Sequence, residues 1–244
     1  MYPQEAIKPY EGNAHKREQV EQLFDNIAPT YDALNHTLSF GFDRAWRNKA
    51  IKALLQCHPE TVLDVATGTG DFALLIAKRL KLRRVIATDI SQGMMRIGRE
   101  KAMREGLHDT ILFQKEDCSA LSFPNASFDA VTTTFGVRNF EDLDTCLREI
   151  HRVLKPNGHL IFLELSYPNN KFYRLLFGIY SRLVMPVVGR IISGDDSAYT
   201  YLPETMKAFP QGEEMQRILL DNGFSHATFS RLTMGLCTLY VARK

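Results

Sequence analysis

The sequence predicts an α/β fold: a seven-stranded, mostly parallel sheet with helices on both faces and one antiparallel strand. Two observations predict it. From Thr61 onward short β-branched apolar runs alternate with amphipathic helical segments, the rhythm of strand, crossover helix, strand that a parallel sheet requires. Near the C-terminus, HATFSRLTMGLCTLYVARK reads as two strands about the Met234-Gly235 turn. A strand that follows a hairpin runs antiparallel to its neighbour, so one reversed strand belongs near a sheet edge.

In order, residues 1–15 are polar and read as a mobile start. A helical pattern runs from Lys16 to Phe24, Pro29 breaks the chain, and the pattern resumes over Asp43–Gln56 with Trp46, Ala50, Ala53 and Leu54 on one face. TVLDVA is a buried strand entering the glycine-rich TGTG, and DFALLIAKRL is a helix. RRVIATD, ILFQKED, FDAVTTTF and GHLIFLEL are strands, with helices at SQGMMRIGREKAMREG and EDLDTCLREIHRVLK. Residues 166–212 form an irregular, apolar and aromatic insert, and EEMQRILLDNGF is a helix closed by glycine. The chain thus reads as one domain, with cap helices at 1–57, a core at 58–165, a covering insert at 166–212 and a terminal helix and hairpin at 213–244.

Composition narrows the function. A net charge of +2 leaves no basic footprint for nucleic acid. Cys57, Cys118, Cys146 and Cys237 form no CxxC pair, which fits reduced thiols in the cytoplasm and gives no metal site. The N-terminus lacks the apolar run of an export signal. The most apolar window, Phe172–Ile192, carries Arg174, Arg182, Arg190 and Pro186, and each arginine at a bilayer centre would cost about 2.5 kcal/mol or more. It does not read as a membrane span.

In an open parallel sheet the ligand lies beyond the carboxyl ends of the strands. Four such ends carry candidate groups: Asp64–Asp71 with Gly68 and Gly70; Asp89, nineteen residues after Gly70; Asp117-Cys118; and Thr134–Asn139. The glycines let backbone approach a ligand at a helix N-terminus, and Asp89 is placed to take ribose hydroxyls. Taken singly, each has an ordinary structural reading, and Gly68-x-Gly70-x-x-Ala73 also passes as a dinucleotide fingerprint. A nicotinamide cofactor therefore stays open beside S-adenosylmethionine at this level.

LDVATGTGDFA, the acidic Asp89 and the RVLKPNG turn resemble a class I AdoMet-dependent methyltransferase, a Rossmann-like fold. YDALNHTLSFGFDRAWR, residues 31–47, resembles the first signature of the ubiquinone/menaquinone biosynthesis C-methyltransferase family, YDxMNxxMSxGxHRxW, and RVLKPNG preceded by FGVRN resembles the second. The resemblance implies S-adenosylmethionine contacts at Thr69 and its glycine loop, Asp89, Asp117, Cys118 and Thr134. It implies methyl transfer to a ring carbon of a prenylated quinol, with demethylmenaquinol favoured over a ubiquinone-pathway benzoquinol or O-methylation of a small phenol. Asp43 stands where the signature has histidine, Asn157 where the family has glycine and Leu34 where it has methionine; the first removes an imidazole at that place as an obligatory base.

The expected catalytic groups are Arg138, to stabilise a phenolate, Asn139, to orient the hydroxyl, and Asp117, to accept the proton, converging if the third and fourth strands are neighbours. A structural alternative pairs Arg138 with Glu141 or Asp142. His36 is a rival base. Tyr31 and Asn35 are expected near the substrate, Leu34, Leu38 and Trp46 to anchor the cap, and Arg44 to pair with Asp32 or Asp43. Phe172, Leu175, Leu176, Ile179, Leu183 and Val184 fall at helical spacing, which suits a cover over the substrate channel resting peripherally on the inner face of a membrane. Packing on the core or a homo-oligomer contact is the alternative.

Overall fold

The computed structural model describes residues 1–192 and 197–244, except the side chains of 185, 186, 188–192 and 197–199; Pro186 and Arg190 thus lie outside the described side chains. Seven strands form one sheet: β1 (Val62–Val65), β2 (Val85–Asp89), β3 (Ile111–Lys115), β4 (Phe128–Thr134), β5 (Leu154–Leu165), β6 (His226–Leu232) and β7 (Cys237–Arg243). Their order is β3-β2-β1-β4-β5-β7-β6. Strands β1 to β5 pair in parallel, whereas β7 is antiparallel to both β5 and β6. The reversed strand is therefore next to the edge. The order reverses between β1 and β4, which puts the switch point at the end of β1.

Each strand of the sheet centre is buried because helices cover both faces. β1 is buried at all four positions; such a strand is apolar without alternation, which is why VLDV looked like core. On one face lie α4 (Asp71–Leu80), α5 (Gln92–Arg104) and α3 (Phe42–Gln56), with Trp46, Leu54, Phe72, Ile76 and Met95 in their common core. On the other lie α6 (Leu143–Val153) and α9 (Glu213–Asp221), with Leu143, Leu147, Ile150 and Leu219. Ser91 caps α5 by accepting from the Met94 N–H at 3.0 Å, and Asp142 caps α6 by accepting from the Thr145 N–H at 2.9 Å. Gly98 on α5 is demanded by packing: a Cβ there would come within 2.6 Å of the Phe113 ring.

Three expectations are corrected. Residues 1–15 are not a mobile start: Pro3–Ala6 form a 3-10 turn, Glu5 accepts from the Leu143 N–H at 2.9 Å, and the Tyr2 hydroxyl donates to Asp144 at 2.9 Å. Tertiary partners, not local pattern, order this segment. Pro29 does interrupt the helix, since α1 ends at Ile27, but helix resumes well before Asp43: a 3-10 turn at Ala28–Thr30 joins α1 (Lys16–Ile27) to α2 (Tyr31–Leu38). The insert is not irregular but contains α7 (Lys171–Ile192) and α8 (Ser197–Ala208). Among the described residues no helix is long and apolar enough to cross a membrane.

Candidate active site

Two cavities of different character meet above the carboxyl ends of the strands. The first is a cleft of mixed lining, with Gly68, Asp89, Asp117, Cys118, Thr134, Gly136 and Asn139 beside the apolar walls Val20, Ile90, Met94 and Phe140. The second, about 500 Å³, is almost wholly apolar and is lined by residues of α1, α2, α3, α7 and α8, among them Leu34, Leu38, Trp46, Leu176, Phe177 and Met206. Phe24, Tyr31 and Phe135 line both. Phe135 is held in the left-handed region at φ 65°, a costly backbone conformation for an aromatic residue and a mark of a functional position. Trp46 packs edge-on to its ring, and the Arg47 guanidinium lies 5.4 Å above the ring centre.

Asp89 closes β2 and accepts from the Gly68 N–H and the Ser91 N–H, both at 2.8 Å. Burial pushes its carboxyl up to about 6 despite these bonds. Asp64, beneath the glycine loop, accepts from Thr132 and Thr67 at 2.6 Å and is likewise raised by burial to about 6. Thr69 and Gly70 are not among the residues that line the cleft. The Thr69 hydroxyl instead donates to Asp32 at 2.5 Å, and Lys101 joins Asp32, Thr69 and Asp71. This knot ties the loop to α2. Gly70 is required by geometry: it sits at φ 76°, with the Phe113 ring 2.9 Å from where a Cβ would lie.

Of the three groups expected to converge, Asn139 and Asp117 come together although β3 and β4 are separated by β2 and β1, and Arg138 stands apart from them. Arg138 lines the apolar cavity, whereas Asn139 and Asp117 line the cleft. Asp117 accepts from Arg17 at 2.7 Å and from Ser119. Burial pushes its carboxyl up, but the Ser119 bonds and the Arg17 guanidinium outweigh it and hold the group below the usual carboxylate range. The pair also fastens α1 across the cleft, assisted by Lys115–Glu21. The cleft is correspondingly narrow, about 140 Å³, below the roughly 300–1,000 Å³ of ligand pockets.

Arg138 does not pair with Glu141 or Asp142. Its Nη1 donates to Glu164 Oε1 at 2.8 Å and to the Phe135 carbonyl, and its own N–H donates to Glu164 Oε2 at 3.0 Å. Both side chains are buried. Sequence reasoning missed Glu164 because it lies on another strand, 26 residues on.

Asp43 is the partner of Arg47, at 2.5 Å, rather than of Arg44; the i,i+4 spacing carried that signal. Asp43 also accepts from Ser39 at 2.9 Å and contacts His36 Nδ1 at 3.1 Å. Burial raises the Asp43 carboxyl, and Arg47 with the bonds from Ser39 and His36 reverses this and holds it low. Asp43, Asn35 and Tyr31 line the apolar cavity, but His36 does not. The imidazole stands outside, 45% exposed, so the pair links the cavity wall to solvent. Leu34 and Trp46 are buried, and Trp46 Nε1 donates to Thr233 at 2.8 Å. Among the described residues no group of histidine, cysteine or carboxylate side chains is arranged to hold a metal.

The model of the ubiE/COQ5 methyltransferase family matches residues 13–244. The chain is 56% identical over 243 residues to the demethylmenaquinone methyltransferase of Bacteroides fragilis, covering 100% of this chain and 99% of that protein. It is 44% identical to the protein of the same name from Porphyromonas gingivalis, covering both in full. The ubiquinone/menaquinone biosynthesis C-methyltransferase of Geotalea uraniireducens is 40% identical, covering 94% of this chain and 97% of that one. Among solved structures, a SAM-dependent methyltransferase from Thermotoga maritima matches with a TM-score of 0.63 at 18% identity, over 91% of this chain and 99% of that chain, which speaks to the fold.

Proposed function

This chain belongs to the ubiE/COQ5 methyltransferase family, and from that premise we propose that it methylates a ring carbon of a prenylated quinol, foremost demethylmenaquinol, with S-adenosylmethionine as donor. The observation that carries the reading is the shared wall: a cleft of mixed polar and apolar lining at the strand ends and a large apolar cavity meet at Phe24, Tyr31 and Phe135. A nucleoside donor suits the first, and an aromatic ring with an isoprenoid tail suits the second. The relatives named demethylmenaquinone methyltransferase support the choice of quinol.

The cleft residues fit the donor. Asp89 keeps acceptor capacity for two ribose hydroxyls beyond its backbone bonds. Ile90, Met94 and Phe140 offer apolar walls for a purine near Asp117 and Cys118. Asn139 Oδ1 is buried without a protein partner, an acceptor suited to an amino group. Thr134 and the backbone at Gly68 complete the cradle, while Thr69 holds it through Asp32. When bound, S-adenosylmethionine supplies an electrophilic methyl on a sulfonium.

The remaining work falls to the chain. Tyr31 and Phe135 hold the ring plane beside the cleft, which supplies alignment for in-line displacement. Arg138 donates to the quinol oxygen and favours its phenolate, enriching the adjacent carbon in electron density. Once methylated, the ring carbon gives up its hydrogen as a proton and the ring regains aromaticity with its hydroxyl restored; the one net proton leaves by way of Asp43 and His36 toward solvent. The apolar walls exclude water. Incubating the protein with S-adenosylmethionine and reduced naphthoquinol or benzoquinol head groups, followed by mass analysis, tests the substrate class: methylated naphthoquinol is expected, and no methylation of either refutes the reading.

The acceptor's tail implies contact with a bilayer surface. On α7, Phe172, Leu175, Leu176, Ile179 and Leu183 are exposed apolar side chains, as are Phe40 and Met234 at the cavity wall. Arg174 and Arg182 lie on the same helix, with the expected Arg190 outside the described side chains. Such a face docks peripherally on anionic lipid at a cytoplasmic surface. Wild-type protein is expected to float with phosphatidylglycerol vesicles and Leu175→Glu/Leu183→Glu to stay behind. Equal flotation of both, or of neither, removes this surface, and self-association of wild type alone assigns it to a homo-oligomer instead.

A further inference from the structure

Among the described residues, two buried side-chain polar atoms without a protein partner belong to residues of the apolar cavity wall: Arg138 Nε and the Tyr201 hydroxyl. Native interiors satisfy nearly all buried polar groups, so each exception calls for an explanation. Other polar side chains on this wall are engaged. The Tyr180 hydroxyl donates to the Leu38 carbonyl at 2.9 Å, Thr233 accepts from Trp46, and Asp43 is held by His36, Ser39 and Arg47. Tyr201 is 4% exposed on α8. Its backbone carbonyl is taken by Thr205 at 2.8 Å, so the backbone is fixed while the phenol is not. The Arg138 charge lies close enough to Tyr201 to oppose the effect of burial on its phenol. No sequence motif marked this tyrosine.

Two unsatisfied donors on one ligand cavity are the pattern of groups whose partner arrives with the ligand. We propose that Tyr201 is an acceptor-binding residue whose phenol donates to the same quinol oxygen that Arg138 Nε–H meets, the pair fixing which ring carbon faces the donor cleft. The assignment rests on the quinol reading above and adds to it a specificity-determining group. Burial raises the phenol far above its ordinary range, with Arg138 opposing; Tyr201 therefore stays protonated and serves as donor, not base. Two donors on one oxygen favour its ionised form and so lower the quinol's own pKa in the complex.

Tyr201→Phe removes the hydroxyl and keeps the ring. Expected are a fall in kcat of about ten-fold or more and an upward shift of the acid limb of its pH profile by about one unit. S-adenosylhomocysteine affinity stays unchanged, and Tm stays equal or rises, since an unsatisfied buried hydroxyl has been deleted. A merely structural hydroxyl would move Tm without moving the pH profile. Active wild type with an equally active Tyr201→Phe of unshifted profile overturns this assignment alone. Wild type inactive on every quinol overturns the underlying reading and this assignment together.

Discussion

Arg138→Ala lowers turnover by at least about 100-fold and destabilises the fold by about 3–5 kcal/mol. The two losses have different causes. Turnover falls because the donor to the quinol oxygen is gone. Stability falls because Glu164, fully buried on β5, keeps a charge with no cation, although the Arg138 and Leu165 N–H groups still donate to it. Arg138→Met/Glu164→Gln separates the effects: with no unpaired charge left, stability recovers relative to the single variant while turnover stays low. Thermal denaturation with single-turnover kinetics reads both. An active double variant would show that Arg138 serves the fold alone.

Asp89→Asn weakens donor binding by about 10- to 100-fold, the worth of one or two charge-assisted hydrogen bonds, and leaves the apolar cavity untouched. Wild-type binding carries the same signature in pH. Burial sets the Asp89 carboxyl at about 6, and ribose hydroxyls donate to its ionised form. Affinity for S-adenosylhomocysteine is therefore about ten-fold weaker at pH 5 than at pH 7, and the dependence vanishes in the variant. For the empty fold the sign is opposite. Raised folded values at Asp89 and Asp64 mean that the folded state holds protons more tightly than the unfolded one between about pH 4 and 6, so both groups cost stability as pH rises through that window. Titration calorimetry at the two pH values decides; equal affinities would remove Asp89 from the donor site.

The sheet was legible because buried parallel strands announce themselves as short apolar runs ending in Asp64, Asp89 and Thr134, and the reversed β7 because a hairpin leaves no other direction. Strand order was not. Periodicity cannot say that two strands lie between β3 and β4, so it could not show that Arg138 lines a different cavity from Asp117, nor that Glu164 on the adjacent β5 pairs with Arg138. The N-terminal turn was illegible for a related reason: Glu5 is ordered by the first turn of α6, 138 residues away, and carries no local pattern. The signature YDALNHTLSFGFDRAWR pointed to the right region. The loss of histidine at 43 looked like the loss of a base; spatially, His36 from the neighbouring helix meets that same carboxylate, a pairing that only the turn at Ser39–Gly41 creates. Tyr201 became visible through burial without a partner, a property no sequence displays.

The central claim is that a donor cleft and an acceptor cavity sharing Phe24, Tyr31 and Phe135 deliver a methyl group to carbon. It is tested most directly by turning over demethylmenaquinol with S-adenosylmethionine labelled with carbon-13 in the methyl group and locating the label by NMR. A ring-carbon methyl resonance is predicted. Label on oxygen, or unlabelled quinol recovered from fully loaded enzyme, would contradict the claim.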